Sequence, residues 1–206
     1  MININLENWH RKSLYEHFLR FKDPYFGVTV PFDLSFAYNK AKQEKRSFFG
    51  VYLHACMLAV NEVPEFKLRI MDDLPVKFDT IHASATIIRP NKTFGFSFIN
   101  FDPDLEVFLQ NIAEEKRRIE NSDKLFPPIN GLDCIHCSAI PWINFSGHKE
   151  PVSGQRDSIP KFAFSNIERI SKSKIEMNTA INVNHALVDG YHVGQFCEKF
   201  QHYLNS

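Results

Sequence analysis

Between positions 175 and 183, Ile175, Met177, Thr179, Ile181 and Val183 alternate with polar residues, a period of two that predicts a strand. Directly downstream, Val193, Phe196, Cys197, Phe200 and Leu204 recur at helical spacing. The same reading gives the elements upstream. Asn8 is expected to cap a helix over 8–22 whose apolar members are Trp9, Leu14, Phe18 and Phe21, with Pro24 stopping it. A strand is expected over 25–30. Asp33 then caps a helix carrying Leu34, Ala37, Tyr38 and Ala41, and Ser47 caps a strongly apolar, buried helix over 48–61. A hairpin over 68–71 and 75–78 turns at Asp72-Asp73, and strands follow over 83–89 and 93–101. Asp104 opens a helix with Leu105, Phe108, Leu109, Ile112 and Ile119 on one side. The charged run Glu114-Glu115-Lys116-Arg117-Arg118 forms its solvated face. Further strands are expected over 134–139 and 162–170. Helices interspersed with consecutive strands predict an α/β two-layer sandwich with a mixed β-sheet, in one domain spanning 1–206.

Composition narrows the function. The 206 residues hold 24 Lys plus Arg and 24 Asp plus Glu, so no basic field invites nucleic acid or an anionic membrane. No apolar run reaches the length of a membrane span, and the amino terminus lacks the charged region and apolar core of a secretion signal. A soluble, cytoplasmic chain is expected. Its cysteines, Cys56, Cys134, Cys137 and Cys197, are expected to be thiols. Cys134-Ile135-His136-Cys137 has no second ligand pair and reads as a strand, so no metal is expected. Among twenty phenylalanines, Phe94, Phe96 and Phe98 alternate, which places three rings on one strand face. Core packing accounts for most such rings; a flat pocket for an aromatic acceptor is the functional alternative.

The chemistry concentrates in Asn182-Val183-Asn184-His185-Ala186-Leu187-Val188-Asp189-Gly190-Tyr191-His192, where the strand gives way to the last helix. A junction of this kind holds a side chain rigidly yet open to a ligand. An imidazole there can take a proton from a hydroxyl and return it within one cycle. Asp189 suits the helix N-terminus, and Gly190 permits a tight turn after it. A buried structural histidine beside an ordinary N-cap is the competing explanation.

This segment resembles the signature His-His-Ala-x-x-Asp-Gly-Phe/Tyr-His-Val of the chloramphenicol acetyltransferase family. Asn184 replaces the first histidine, His185 matches the general base and Asp189 the structural aspartate, while Gly190, Tyr191, His192 and Val193 continue the match. Asn8-Trp9-His10-Arg11-Lys12 is similar to the family's amino-terminal block, whose arginine pairs with the motif aspartate, which puts Arg11 at that position. Pro64-Glu65-Phe66-Lys67-Leu68-Arg69, Leu125-Phe126-Pro127 and Ala139-Ile140-Pro141-Trp142-Ile143-Asn144-Phe145 match further landmarks in the same order.

The resemblance implies direct transfer of acetyl from acetyl-coenzyme A to an acceptor hydroxyl, with His185 as base and Arg11 and Asp189 as a buried ion pair. It implies a homotrimer with each site at a subunit interface. It assigns Phe18 and Phe94 to the acceptor pocket. The family's oxyanion-binding serine falls on Gly147, with Ser146 before it, so the hydroxyl is missing or displaced by one residue. Its strand threonine is best matched by Ser165. The loop over 147–158 is expected to shape the acceptor site. The expected acceptor is chloramphenicol or a similar small alcohol. Two alternatives stand beside it: an acyltransferase for another acceptor or a longer acyl donor, and a trimer that binds a small molecule without turning it over.

Overall fold

The computed structural model describes residues 1–151 and 157–206; the expected loop over 147–158 lies partly outside the described residues. In chain order the elements are β1 (Ile2–Asn3), α1 (Lys12–Phe18), β2 (Tyr25–Asp33), α2 (Ser35–Gln43), α3 (Phe48–Glu62), β3 (Leu68–Met71), β4 (Leu74–Lys77), β5 (His82–Ile88) and β6 (Phe94–Phe96). They continue with α4 (Leu105–Glu120), β7 (Cys134–Ala139), β8 (Lys161–Arg169), β9 (Ile175–Asn184) and α5 (Gly190–Leu204). Six strands form one sheet in the order β2-β9-β8-β7-β5-β6, and β1-β4-β3 form a small second sheet. β8 runs parallel to β7 and β7 to β5, whereas β2, β9 and β6 pair antiparallel with their neighbours, so the large sheet is mixed.

Local chemistry sets most boundaries. Ser47 Oγ accepts from Gly50 N at 3.2 Å, and Asp104 Oδ1 accepts from Glu106 N at 2.8 Å and Val107 N at 3.1 Å. Each bond satisfies an N–H that the first helical turn leaves unpaired. Asp72 and Asp73, with φ of 49° and 61°, make the tight turn between β3 and β4; two successive positive φ values match the twist of a hairpin. The apolar side of β9 (Met177, Ile181, Val183) meets Leu53 and Met57 of α3 and Phe196 and Phe200 of α5 in the core. Burying each such side chain contributes about 1.5–3 kcal/mol. No helix among the described residues is long and apolar enough to cross a membrane.

Three expected elements differ. Asp33 ends β2 and Leu34 takes the N-cap of α2, although Asp33 Oδ1 accepts from Ser35 N at 2.8 Å. The first helix does not run over 8–22. Asn5 caps a 3-10 turn at Leu6–Asn8, Trp9 is extended, and α1 covers only Lys12–Phe18. Arg11 takes the N-cap position, its side chain drawn away to Asp189. The strand over 93–101 is likewise cut to Phe94–Phe96. Ser97 Oγ both accepts from Ala85 N and donates to Ala85 O, each at 2.9 Å, and so replaces a ladder partner with a side chain. Phe98 N then turns to Glu115 Oε2 at 2.7 Å, and only an isolated bridge, Ala83 to Ile99, continues the pairing.

Arg69 is wholly buried, and among the described residues its hydrogen bonds all go to backbone carbonyls. Its guanidinium donates to Leu132 O at 2.7 Å, Phe66 O at 2.9 Å, Leu68 O at 2.6 Å and Cys134 O at 2.6 Å. It thereby ties β3 to the start of β7. Burial lowers its pKa to about 10, still high enough to keep it charged at neutral pH.

Candidate active site

β9 ends at Asn184, and the chain turns at once. Leu187 N and Val188 N both donate to Asn184 O at 3.0 Å. The Asn184 side chain completes the turn: Oδ1 accepts from Ala186 N at 3.0 Å, and Nδ2 donates to Asp157 O at 2.9 Å. The residue that replaces the family's first histidine is thus a clamp between the turn and the segment before β8. His185 sits on this turn, its backbone N donating to Pro24 O at 2.9 Å.

The imidazole is held between rings. Phe18, the last residue of α1, stacks on it with centroids 4.1 Å apart and planes 5° from parallel; Phe26 of β2 tilts against it at 4.6 Å. Nδ1 is buried without a hydrogen-bond partner among the described residues. Nε2 is therefore the nitrogen open to a ligand.

Asp189 secures the far side of the turn. Its Oδ1 accepts from Tyr191 N at 3.0 Å, and its own N donates to His192 Nδ1 at 3.2 Å, a reciprocal cap on α5. Its Oδ2 accepts from Arg11 Nη1 at 2.6 Å across 178 residues of sequence. Burial pushes the Asp189 carboxyl up, but the Arg11 hydrogen bond and the nearby charges of His192 and Arg11 outweigh it and hold the group below its usual range. His192 is shifted down by burial, against the pull of Glu65 and Asp189. In the cap its Nδ1 accepts from Asp189 N. Arg11 is 4% exposed, so the pair is largely shielded from water on its cationic side.

The structure thus brings Arg11, Phe18, His185 and Asp189 together. The remaining residues lie elsewhere in the chain. Ser165 and Phe94 line a separate cavity of about 850 Å³, walled by Phe48, Tyr52, Ile88 and Trp142. The Ser165 hydroxyl is engaged with backbone: it donates to Asn166 O at 2.7 Å and accepts from Asn178 N at 3.0 Å, at the bulge between β8 and β9. From Asn178 to His185 the chain rises roughly 20 Å or more along the strand. Ser146 and Gly147 are exposed in an irregular segment after β7. Among the described residues, neither these two nor Ser165 or Phe94 makes a hydrogen bond or ring contact with His185. Phe94 packs on Phe96 at 5.5 Å, whereas Phe98 turns to His82. Sequence reading missed the anchoring roles of Asn184, His192 and Arg69; of these only the Asp189-to-His192 spacing carried a local signal. Cys134 and Cys137 lie in β7, where burial pushes the Cys134 thiol up to about 12, and no group of three or more His, Cys, Asp or Glu side chains among the described residues is arranged to hold a metal.

A mixed sheet backed by helices, with a histidine turn at the end of its penultimate strand in sheet order, is the architecture of a class of acyltransferases. The family model for chloramphenicol acetyltransferase matches residues 1–201. The chain is 27% identical over 195 residues to a chloramphenicol acetyltransferase of Bacillus pumilus, covering 93% of this chain and 88% of that one. It is 27% identical over 208 residues to one from Proteus mirabilis, covering 98% and 94%. A solved chloramphenicol acetyltransferase superposes with a TM-score of 0.84 at 29% identity over 98% of both chains. The dihydrolipoamide acetyltransferase of Azotobacter vinelandii shares the fold, with a TM-score of 0.69 at 13% identity over 94% of this chain and 85% of that one. The chain belongs to the chloramphenicol acetyltransferase family and is an acyltransferase.

Proposed function

We propose that the protein transfers acetyl from acetyl-coenzyme A to the hydroxyl of chloramphenicol or a similar small alcohol. The observation that carries this reading is the held imidazole: His185 is stacked on Phe18 and tilted against Phe26 with Nε2 open, on a turn locked by the Arg11–Asp189 pair. His185 Nε2 takes the acceptor's hydroxyl proton as its oxygen attacks the thioester carbonyl. When the C–S bond breaks, His185 returns that proton to the departing thiolate, giving an acetyl ester and free coenzyme A. Arg11 and Asp189 act on the turn and not on the reacting atoms.

In this reading the enzyme is a homotrimer, with His185 of one copy facing the Ser165 and Phe94 cavity of the next. The separation of those groups along β9 supports it. The oxyanion falls to Ser146 or to the backbone at Gly147. The test is release of free thiol from acetyl-coenzyme A with chloramphenicol and a panel of small alcohols. Acceptor-dependent release is expected; saturable binding of an acceptor without any release would favour the non-catalytic alternative.

Gly147 offers a second check. A Cβ built there meets nothing within 4 Å, so a serine fits without displacing a neighbour. If Gly147 marks a lost oxyanion donor, Gly147→Ser raises kcat on the order of tenfold or more with little change in KM, because a donor at that point acts on the transition state. An unchanged kcat in steady-state assays would assign the oxyanion to another donor.

A further inference from the structure

Beside the His185 turn lies a second cavity of about 670 Å³, lined among others by Tyr25, Phe26, Asp157, Lys161, Asn182 and Asn184. It approaches the proposed base through that residue's neighbours: Phe26 packs against the His185 ring, and Asn184 precedes it in the chain. Its floor is polar. Gly27, Asn182 and Lys161 are register partners across β2, β9 and β8. A Cβ on Gly27 would lie 2.4 Å from Asn182 Oδ1, so a larger residue there would displace the Asn182 side chain.

Lys161 is 8% exposed, an unusual position for a lysine. Its ammonium donates to Asp157 Oδ2 at 2.8 Å and Pro151 O at 3.2 Å, and lies 5.0 Å from the centre of the Tyr25 ring. An ammonium has three donors, and two of them are engaged among the described residues. Asn182 is equally buried, and its Nδ2 has no partner among the described residues. Some of the acceptors around them are engaged. Asp157 also receives Ile159 N at 3.0 Å, Asp23 receives Tyr25 N at 3.1 Å, and Glu150 faces His148 at 3.6 Å. Arg20, Lys22 and Lys149 also line the cavity, beside Asp23 and Glu150. The lining thus combines a buried lysine and a buried amide donor with an excess of cations, close to the turn that carries His185.

We propose that this cavity binds an anionic oxygen group, a carboxylate or phosphate, carried by the acceptor alcohol, and that Lys161 is the residue that selects for it. The inference rests on the acetyl-transfer reading of His185 and deepens it. The Lys161–Asp157 pair is neutral as a unit, and the other charged residues lining the cavity are three cations (Arg20, Lys22, Lys149) against two carboxylates (Asp23, Glu150), which leaves the balance positive. A neutral amide in the same place would leave these donors weaker partners, because hydrogen bonds to charged acceptors are the stronger ones.

The experiment compares alcohols that differ only in charge: 4-(hydroxymethyl)benzoate, 4-(hydroxymethyl)benzamide and 4-(hydroxymethyl)phenyl phosphate. Each is assayed for thiol release from acetyl-coenzyme A. The carboxylate or the phosphate is expected to exceed the amide in kcat/KM by about tenfold or more, and which of the two is preferred identifies the group. In Lys161→Met/Asp157→Asn, which leaves no buried charge unpaired, the preference falls to within about threefold. Because that variant alters packing, Lys22→Ala/Lys149→Ala, changed only at exposed residues, is measured beside it; a raised KM for the anion alone is expected. Equal or better use of the amide by the wild type overturns the proposal. So does a Lys161 variant that loses affinity for coenzyme A with its acceptor preference intact, which would give the cavity to the donor's phosphates. Calorimetry with His185→Ala separates the two readings. Binding of the anions but not the amide, with no acetylation of any of them by the wild type, would uphold this pocket and remove acetyl transfer; binding of none removes the pocket.

Discussion

His185→Ala is expected to lower kcat for acetyl transfer by roughly two to four orders of magnitude, with KM for acetyl-coenzyme A changed by less than about threefold. The reasoning is geometric. A hydroxyl is a poor nucleophile at neutral pH and needs a base within hydrogen-bond reach at the moment of attack. Phe18 and Phe26 hold the ring, and the backbone bond from His185 N to Pro24 O survives the substitution, so among the described residues the side chain makes no hydrogen bond that its loss would break. The turn beneath it is held by Asn184 and by the Arg11–Asp189 pair, both independent of the imidazole. The variant should therefore fold, with a melting temperature near that of the wild type, and fail in chemistry. A steady-state rate within tenfold of wild type would remove His185 from the mechanism.

The largest effect on stability is expected from Arg69→Met. Its side chain serves four backbone carbonyls in a site with no exposure, and methionine fills much of the volume but donates to none of them. A buried polar group stripped of its partner costs about 1–3 kcal/mol, so four acceptors losing one donor group are expected to cost on the order of 4 kcal/mol or more. Relief from burying a charge offsets part of this, since desolvation works against the guanidinium and lowers its pKa. Urea unfolding should show the midpoint falling sharply. A loss below about 1 kcal/mol would mean that water or a shift of β3 satisfies those carbonyls instead.

What the sequence revealed and what it withheld divide along one physical line. Features decided within a few residues were legible: the caps at Ser47 and Asp104, the Asp72-Asp73 turn, and the change from strand period to helix period on either side of His185. Features decided by contact between distant segments were not. The helix expected over 8–22 loses its first turns because Arg11 is held at Asp189, 178 residues away. Phe18 reads as one apolar position among several, and nothing local indicates that it stacks on His185. The strand over 93–101 carries strong strand-forming residues, yet the Ser97 hydroxyl interrupts its ladder. Lys161 and Asn182 occupy strand positions that reveal no pocket until the sheet assembles.

The most direct test of the central claim mixes two defective chains. One carries His185→Ala; the other carries Ile88→Glu/Phe94→Glu, which charges the exposed apolar wall of the cavity holding Ser165. Each alone is expected to be inactive with chloramphenicol. After unfolding and refolding together, the mixture should recover thiol release at about a quarter of the wild-type rate, the share of interfaces in a random ring that join an intact histidine to an intact wall. A mixture as inactive as its parents would contradict a base that acts across a subunit boundary.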